Sequence, residues 1–528
     1  MSDSGHHDSL SERISYLTLS TKCAEMGLSI LQFPNEILIH IISQVSNADL
    51  DSFTLTCKRI RALATAFIRE HRSRQEVYRE ITLLNPHCAP REERTTWSHP
   101  TLMLLDLLRD DLLCYPWVFN ITDYVVRNGR DDLLDVGGGD SDSDSEDGTD
   151  HSEVDRALKS SPNELGSLIE ACPHFNGDEE LSRGVLEGGI STTLGLLLNV
   201  LPNLRTWNIM GPTQPSPATG ILKRILDKML TTNQNPPRGS SPSLAKLESV
   251  VFDRFYKGDR SYDKWNLSAY APLFYFPSVR NIWAKGLEES DSEDSWTYPG
   301  LQSHVQGLAL EMSTMHTENF KSYLKSTQNL MSFKYIEKFR QGSRHSGCEV
   351  KEVLETLLEH AGHTLRHLNV QCWEVSEDHR QLARAGGCFL GSLKAFRVLE
   401  TIQVQGNLLI EPVETREMIV TNPATARRGR ACRLIDILPS SVARFMFIRE
   451  RYITVEYGLA DMLRGLPERK ADLLPHLEVI AFCRCWSWFV TAAQVEFLDA
   501  CIEAGITTFT LDEVHDKGER KYGFGWAM

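Results

Sequence analysis

A short apolar pattern recurs along most of this chain and constrains its fold more than any other feature of the sequence. In each copy, one apolar residue is followed by a second after three positions and by a third after two more. Ten copies lie between Leu204 and Leu511. The last two positions alternate as they do on one face of a short β-strand, and the first turns the chain into that strand. One unit cannot bury its apolar face alone, so the copies are expected to stack as a solenoid.

The copies are irregularly spaced and lie about 34 residues apart on average. In chain order their positions are Leu204/Trp207/Ile209, Leu247/Val250/Phe252, Val279/Ile282/Ala284, Val305/Leu308/Leu310, Leu330/Phe333/Tyr335, Leu365/Leu368/Val370, Leu399/Ile402/Val404, Val442/Phe445/Phe447, Leu477/Ile480/Phe482 and Ile506/Phe509/Leu511. Segments with helical periodicity precede several strands, at 193–200, 221–230, 318–325, 349–360, 388–396 and 494–504.

This repeat resembles a degenerate leucine-rich repeat, which implies a parallel sheet on the concave side and helices outside. The Asn or Cys that usually closes the strand turn is mostly missing, although Cys372 and Asn407 lie near that place. A doubly wound α/β domain is the alternative, and ten repetitions favour the solenoid. The predicted fold class is α/β.

The register of the pattern predicts which residues face the concave side. Side chains alternate along a strand, so the residue between the two inward positions points to that face, and the last such residue is Thr510. The face carries both signs of charge and no basic stripe, which disfavours nucleic acid and favours a protein partner. The candidate substrate face comprises Trp283, Lys334, Asn369, Gln403, Met446 and Ile448. The alternative is that inserted loops cover these residues.

A second informative stretch, residues 33–67, predicts three short helices. Pro34 and Glu36 suit the first turn of a helix, and apolar residues follow at helical spacing. So few residues bury too little surface to fold without a metal, disulfides or a partner, which indicates a docking element. An ordinary helical hairpin packed on the rest of the protein is the alternative.

The order of these residues resembles an F-box. Phe-Pro-x-Glu-Ile-Leu, with Phe33 in place of the more usual Leu, is followed at the family's spacing by Ile41, Val45, Asp49-Leu50, Leu55 and Cys57-Lys58. The resemblance implies binding to the Skp-type adaptor of SCF ubiquitin ligases and, through it, to cullin. It assigns the adaptor contact, or the core that shapes it, to Phe33, Pro34, Ile37, Leu38, Ile41, Val45, Leu50, Leu55 and Cys57.

Five regions are expected along the chain. They are a disordered N-terminus at 1–28, the F-box at 29–75, a helical linker or cap at 76–190, the solenoid at 191–515 and a tail at 516–528. The net charge of −15 is concentrated in two acidic runs, 140–153 and 288–294. Both runs repel themselves and lack apolar residues, so a disordered insertion at about 137–154 and a solvated loop at about 287–296 are predicted. They are either phosphorylation sites or solubilising loops.

The sequence carries no phosphate-binding loop, nucleophile elbow or zinc-protease motif. His360, His363 and His367 are the best metal candidates, but Gly362 interrupts their helix and no nearby Cys completes a ligand set. No catalytic residue, metal or cofactor is therefore predicted. Scattered cysteines and the lack of a membrane-length apolar run predict a cytoplasmic or nuclear protein.

Together these observations predict a non-catalytic, substrate-recognition subunit of an SCF-type ubiquitin ligase. The F-box would bind the adaptor, and the solenoid would bind a protein target. The alternative function is a repeat scaffold that acts without ubiquitin transfer.

Overall fold

The computed structural model describes residues 32–45, 47, 49–84, 95–122, 151–210, 217–234, 242–253, 265–289, 297–313, 315–338, 350–373, 390–411, 430–431, 433–448, 462–483 and 492–511. The chain divides into two compact units. The first is Met1–Glu80 with Leu107–Pro116, and the second is Ile81–Asp106 with Trp117–Met528.

Among the described residues of the first unit are four helices: α1 (Asn35–Gln44), α2 (Leu50–Leu55), α3 (Lys58–Leu63) and α4 (Thr65–Tyr78). Pro34 precedes α1 with a φ of −53°, and its carbonyl accepts a helical hydrogen bond from the Leu38 amide at 3.1 Å. The third predicted helix is split at Ala64, whose ψ of 0° departs from helical geometry. Its second part continues to Tyr78, beyond the predicted end at Phe67.

The core of this unit is built from one or two residues of each short helix. Ile42, Leu50, Ile60 and Ala64 are buried together, and Leu38 is 1% exposed. The residues packed around this cluster are Val45, Phe53, Cys57, Leu63, Phe67 and Ile68. The helical spacing in the sequence therefore places one apolar stripe of each helix on a shared centre.

The rest of the described chain alternates strands and helices. The strands are β1 (Glu80–Leu84), β2 (Thr96–Trp97), β3 (Val118–Thr122), β4 (Thr206–Met210), β5 (Ser249–Asp253), β6 (Trp265–Asn266), β7 (Asn281–Lys285), β8 (Leu287–Glu288), β9 (Gly307–Ser313), β10 (Ser332–Lys338), β11 (His367–Trp373), β12 (Thr401–Gln405), β13 (Ile410–Glu411), β14 (Arg430–Ala431), β15 (Arg444–Ile448), β16 (Val479–Cys483) and β17 (Thr507–Leu511). The helices are α5 (Pro100–Arg109), α6 (His151–Ser160), α7 (Pro162–Ala171), α8 (Glu179–Leu186), α9 (Ile190–Val200), α10 (Pro217–Gln234), α11 (Leu267–Tyr270), α12 (Thr317–Ser326), α13 (Val350–Ala361), α14 (Leu434–Ile437), α15 (Leu466–Leu473) and α16 (Ala492–Glu503). Short 3-10 helices span Ala271–Tyr275 and Gly406–Leu409.

Thirteen strands form one sheet in the order β17-β16-β15-β12-β11-β10-β9-β7-β5-β4-β3-β1-β2. From β3 to β17 each strand pairs in parallel with its neighbour in that order. The register aligns the first inward residues of nine copies in one row, and each is at most 1% exposed. This row is Trp207, Val250, Ile282, Leu308, Phe333, Leu368, Ile402, Phe445 and Ile480. The stacked α/β repeat predicted from the sequence is confirmed.

Helices cover the face of the sheet that carries this row. The ring of Phe320, on α12, lies 6.0 Å from the ring of Phe333 and 5.5 Å from that of Tyr335, centroid to centroid. We call the opposite face the second face. Its central row is Asn208, Val251, Trp283, Ala309, Lys334, Asn369, Gln403, Met446, Ala481 and Phe509.

The tenth copy of the repeat departs from the predicted register. Thr508 pairs with Ile480 and Phe509 with Ala481, so Phe509 lies on the second face where Thr510 was expected. The cause lies at the end of α16, where Gly505 has a φ of +70° and the Ile506 amide donates to the Cys501 carbonyl at 2.7 Å. This tight ending leads directly into β17, and a shift of one residue reverses which face each side chain occupies.

Five of the six predicted repeat helices are present, with ends that differ by up to four residues. The segment predicted as a helix at 388–396 is different. Its described part, from Leu390, contains no helix, although Leu390, Leu393 and Phe396 are buried. Gly391 has a φ of +72°, which is incompatible with a continuous helix.

The sheet also begins earlier than the predicted start of the solenoid at residue 191. Strands β1, β2 and β3 form one end of it, inside the region expected to be a helical linker or cap. The apolar-rich stretch 102–113 of that region lies partly in α5, and β3 follows it. The cap is therefore partly built from the same sheet.

Each acidic run overlaps a described element: the first run ends in a helix, and the second begins in a strand. The first run enters α6 at His151, and Val154 in its first turn is 8% exposed; residues 140–150 lie outside the described residues. The second run starts in β8, and Glu289 is 6% exposed. Its carboxylate accepts from the His316 amide at 2.7 Å and from Asn319 Nδ2, at the start of α12. An acid at a helix N-terminus is stabilised by the helix dipole. Residues 287–289 are therefore ordered and partly buried instead of forming a solvated loop, and 290–296 lie outside the described residues.

Candidate partner-binding surfaces

The second face starts with a row of side-chain amides. Asn208 Nδ2 donates to Asn120 Oδ1 at 2.7 Å, and Asn120 Nδ2 donates to Thr82 Oγ1 at 3.3 Å. Asn120 is 7% exposed, whereas Asn208 is half-buried. Each amide satisfies the next, so this end of the face is polar and fixed.

Trp283 is the largest side chain in the middle of the second face. It is half-buried, and its neighbours on the adjacent strands, Val251 and Ala309, are smaller. The indole Nε1 donates to Glu311 Oε1 at 3.1 Å, and the same oxygen lies 2.7 Å from Lys334 Nζ. The Lys334 and Glu311 side chains are only 16% and 19% exposed. One carboxylate therefore orients the indole and neutralises the lysine.

The next two strands carry a buried pair of amides. Asn369 Nδ2 donates to Gln403 Oε1 at 2.6 Å, and Gln371 Nε2 donates to Asn369 Oδ1 at 2.9 Å. Asn369 is 2% exposed and Gln403 is 1% exposed. These groups bind one another rather than solvent.

The far end of the second face is apolar. Met446, Ile448 and Ala481 form a buried cluster, with Val479, Cys483 and Phe509 packed against it. The shift of register in the tenth copy is what brings Phe509 into this cluster, so the sequence pattern alone does not reveal it.

The structure therefore corrects the predicted substrate face. Asn369, Gln403, Met446 and Ile448 are buried, and in this conformation they offer little surface to a partner. Trp283 and Lys334 remain partly accessible. The alternation of side chains places all six residues on the expected face, but burial depends on contacts distant in sequence, which the repeat pattern does not encode.

On the helical unit, the predicted docking residues fall into two groups. Pro34, Ile37 and Leu55 are exposed, the last two by 46% and 73% of their surface, whereas Leu38 and Leu50 belong to the core. The half-buried members are Phe33, Ile41, Val45 and Cys57. Ile39, which is not among the residues that the F-box resemblance assigns to adaptor binding, is also 40% exposed.

Arg59 makes two contacts that local sequence patterns do not reveal, because they join residues more than twenty positions apart. Arg59 Nη2 donates to the Phe33 carbonyl at 3.0 Å and to Asn35 Oδ1 at 2.7 Å, which fixes the chain as it enters α1. Cys57 precedes α3, and its sulfur accepts from the Arg59 amide at 3.3 Å. Cys57 is thus a capping residue of α3.

A buried histidine ties α4 to the segment Leu107–Pro116 within the same unit. His71 is 5% exposed, with Nδ1 3.0 Å from the Tyr115 hydroxyl and Nε2 3.1 Å from Gln75 Nε2. Asp51 Oδ2 lies 3.7 Å from Nε2. Burial, with the neighbouring Cys114, raises the pKa of Tyr115, so the phenol stays protonated at neutral pH.

The described residues hold no group of three potential metal ligands. His360 lies in the last turn of α13, His363 follows the helix, and His367 begins β11. Burial lowers the pKa of His367. Among the described helices, none has the length and apolar character that a membrane span requires.

Comparison with known families matches two parts of the chain. A model of the F-box domain matches residues 30–71, and a model of a leucine-rich repeat domain matches residues 240–448. The chain carries an F-box domain and a leucine-rich repeat domain. The resemblances found in the sequence and the α/β repeat fold are thereby confirmed. No curated protein matches the chain.

The F-box match contains the exposed apolar residues of α1 and α2, and the leucine-rich repeat match contains the middle of the second face. The F-box match includes α1, α2 and α3 and ends at His71, within α4. The leucine-rich repeat match runs from the residues before β5 to the end of β15 and includes Trp283 and Lys334.

Proposed function

We propose that this protein is a substrate receptor of an SCF-type ubiquitin ligase. Its F-box domain binds the Skp-type adaptor and, through it, cullin, while its leucine-rich repeat domain binds a protein target. The pairing of these two domains in one chain supports this role. The chain itself makes and breaks no bond: it raises the effective concentration of a target lysine near a thioester carried by other subunits.

The observation that carries the adaptor contact is the exposure of apolar side chains on the F-box. Ile37, Ile39 and Leu55 face solvent although the core beneath them is complete. Exposed apolar groups that the fold does not use are typical of an interface. Burying them against a partner releases about 25 cal/mol per Å² of apolar surface.

The target surface is proposed for the accessible middle of the second face. Trp283 is held by Glu311, so it loses little side-chain entropy on binding, and Trp is common among residues that dominate interface energy. The ion pair between Glu311 and Lys334 leaves no net charge beside it. The expected partner contributes an apolar side chain flanked by polar groups.

Adaptor binding is tested by replacing exposed residues. The double variant Ile37→Ala/Leu55→Ala is expected to lose adaptor and cullin in co-purification, with affinity for purified adaptor reduced about a hundredfold. Val77→Ala is the matched control, because Val77 is 44% exposed on α4 beyond the F-box match and its loss is expected to change little. Undiminished capture of the adaptor by the double variant would contradict the proposal.

The burial of much of the second face favours the alternative function, a repeat scaffold that acts without ubiquitin transfer. Much of the second face, from Asn369 to Ala481, is buried, which reduces the area open to a target. A scaffold would form a stable complex with the adaptor that lacks cullin. A receptor would carry both.

A further inference from the structure

An open groove on the first unit runs between α2 and the pair α3 and α4. Apolar side chains, Leu55 and Ile68, line part of it. Three arginines, Arg61, Arg69 and Arg72, line the rest and are exposed. The groove therefore combines an apolar contact with positive charge.

Two arginines of α4, Arg69 and Arg72, belong to a stripe of side chains along one face of the helix. Thr65, Arg69, Arg72 and Glu76 follow one another at intervals of four, three and four residues, and all line the groove. Such spacing places side chains on one face of a helix. Arg72 lies outside the F-box match, which ends at residue 71, so the charged side is partly a property of this chain.

No acid among the described residues is paired with Arg61, Arg69 or Arg72. By contrast, Arg74 on the same helix lies 2.6 Å from Glu70. The two carboxylates that line the groove are Asp51, which lies 3.7 Å from His71, and Glu76 at its far end. Arg69 and Arg72, three residues apart, repel each other, whereas Glu76 lies four residues after Arg72 and attracts it. The stripe keeps one positive charge that an acidic ligand would balance.

We propose that this arginine groove binds an acidic segment of the Skp-type adaptor, and that the same segment places an apolar side chain against Leu55. The inference rests on the proposed adaptor binding and adds its chemistry. Leu55, at 73% exposure, supplies the apolar contact, and the unpaired guanidinium groups supply the charge complementarity. No aromatic residue lines the groove to stack bases, which argues against single-stranded nucleic acid as its ligand.

The test measures binding of the full chain to purified adaptor between ~50 mM and ~500 mM salt, a range over which exposed charges become screened. The affinity of the wild-type protein is expected to fall as salt rises. Arg69→Gln/Arg72→Gln is expected to bind about tenfold more weakly at low salt and to depend much less on salt. Thermal unfolding should change little, because both guanidinium groups are exposed and the lost repulsion between them offsets the lost attraction of Arg72 to Glu76.

Arg74→Gln is the matched control, since its guanidinium is already paired with Glu70, and its affinity is expected to stay within about twofold of wild type. If wild type binds and the double variant binds equally at low salt, the groove assignment is wrong while adaptor binding stands. If wild type does not bind the adaptor, both proposals are wrong.

Discussion

On the second face, one side chain, that of Glu311, fixes the positions of two others. The Glu311 carboxylate accepts from Trp283 Nε1 and pairs with Lys334 Nζ, both at hydrogen-bonding distance and with little solvent access. A charged hydrogen bond shielded from water is stronger than an exposed one. Glu311 therefore positions the proposed target contact without belonging to it.

Replacing Glu311 is expected to destabilise the repeat domain. Glu311→Gln removes the charge opposite Lys334 and leaves that ammonium poorly compensated, at a cost of about 1–3 kcal/mol in the free energy of unfolding. Arg366→Gln is the comparison, because its pair with Glu400 is roughly half exposed and its loss is expected to cost less than about 0.5 kcal/mol. Urea denaturation of both variants measures the difference; equal effects would refute the special role of Glu311.

At this scale the sequence predicts orientation better than exposure. Period-two alternation placed Trp283 and Lys334 on the second face, and an F-box resemblance selected Ile37 and Leu55. The F-box resemblance selected both Ile37 and Leu38 and did not indicate that Leu38 is a core residue whereas Ile37 is exposed, because both fall within one helical turn. Exposure depends on what other segments cover, and local spacing does not specify that.

At the scale of elements, helix ends carry much of the organisation. Asp178 precedes α8, and its Oδ1 accepts from the Leu181 amide at 3.1 Å. The same carboxylate binds Arg224 at 2.6 Å and Lys228, both on α10, so one cap joins two helices. Burial raises the pKa of Asp178, but the hydrogen bonds from Lys228 and Arg224 outweigh it and hold the pKa well below its usual range.

This cap predicts a pH dependence. Because the folded-state pKa of Asp178 is depressed, its stabilisation is present above the unfolded pKa of about 3.9 and is lost as pH falls below it. Asp178→Asn is expected to lower the free energy of unfolding by about 1–2 kcal/mol at neutral pH, and the gap to wild type should shrink in acid. Urea denaturation at neutral and acidic pH measures the gap.

Glu180→Gln is the control for this effect, since Glu180 pairs with the same Arg224 but its side chain is 54% exposed. Its expected cost is below about 0.5 kcal/mol. A gap between wild type and Asp178→Asn that is constant with pH would show that the cap acts without its charge.

Helices with a clear apolar stripe could be predicted from the sequence. Elements next to a glycine with positive φ could not. The predicted helices at 318–325 and 349–360 match α12 and α13 closely, because their apolar stripes are clear. The segment around Gly391 and the last strand after Gly505 differ, since a residue with positive φ ends or redirects an element irrespective of the surrounding apolar pattern. Strands β1 to β3 lack the repeat pattern and were recognised only in part.

At the scale of the whole molecule, two domains with different surfaces support two separable tasks. The F-box exposes apolar and cationic side chains on short helices, and the leucine-rich repeat domain offers a fixed indole on a parallel sheet. Because the residues concerned lie in separate units of the chain, changing one surface is expected to leave the other intact.

The most direct test compares three forms of the protein in cells by proximity labelling: wild type, Ile37→Ala/Leu55→Ala and Trp283→Ala/Lys334→Ala. The first variant is expected to lose adaptor and cullin but to keep a target, whose abundance rises because it is no longer ubiquitinated. The second is expected to keep adaptor and cullin and to lose that target, with urea denaturation confirming that the repeat domain is folded. Loss of the same proteins from both variants, or no accumulation of any captured protein in the first, would contradict the account of a substrate receptor.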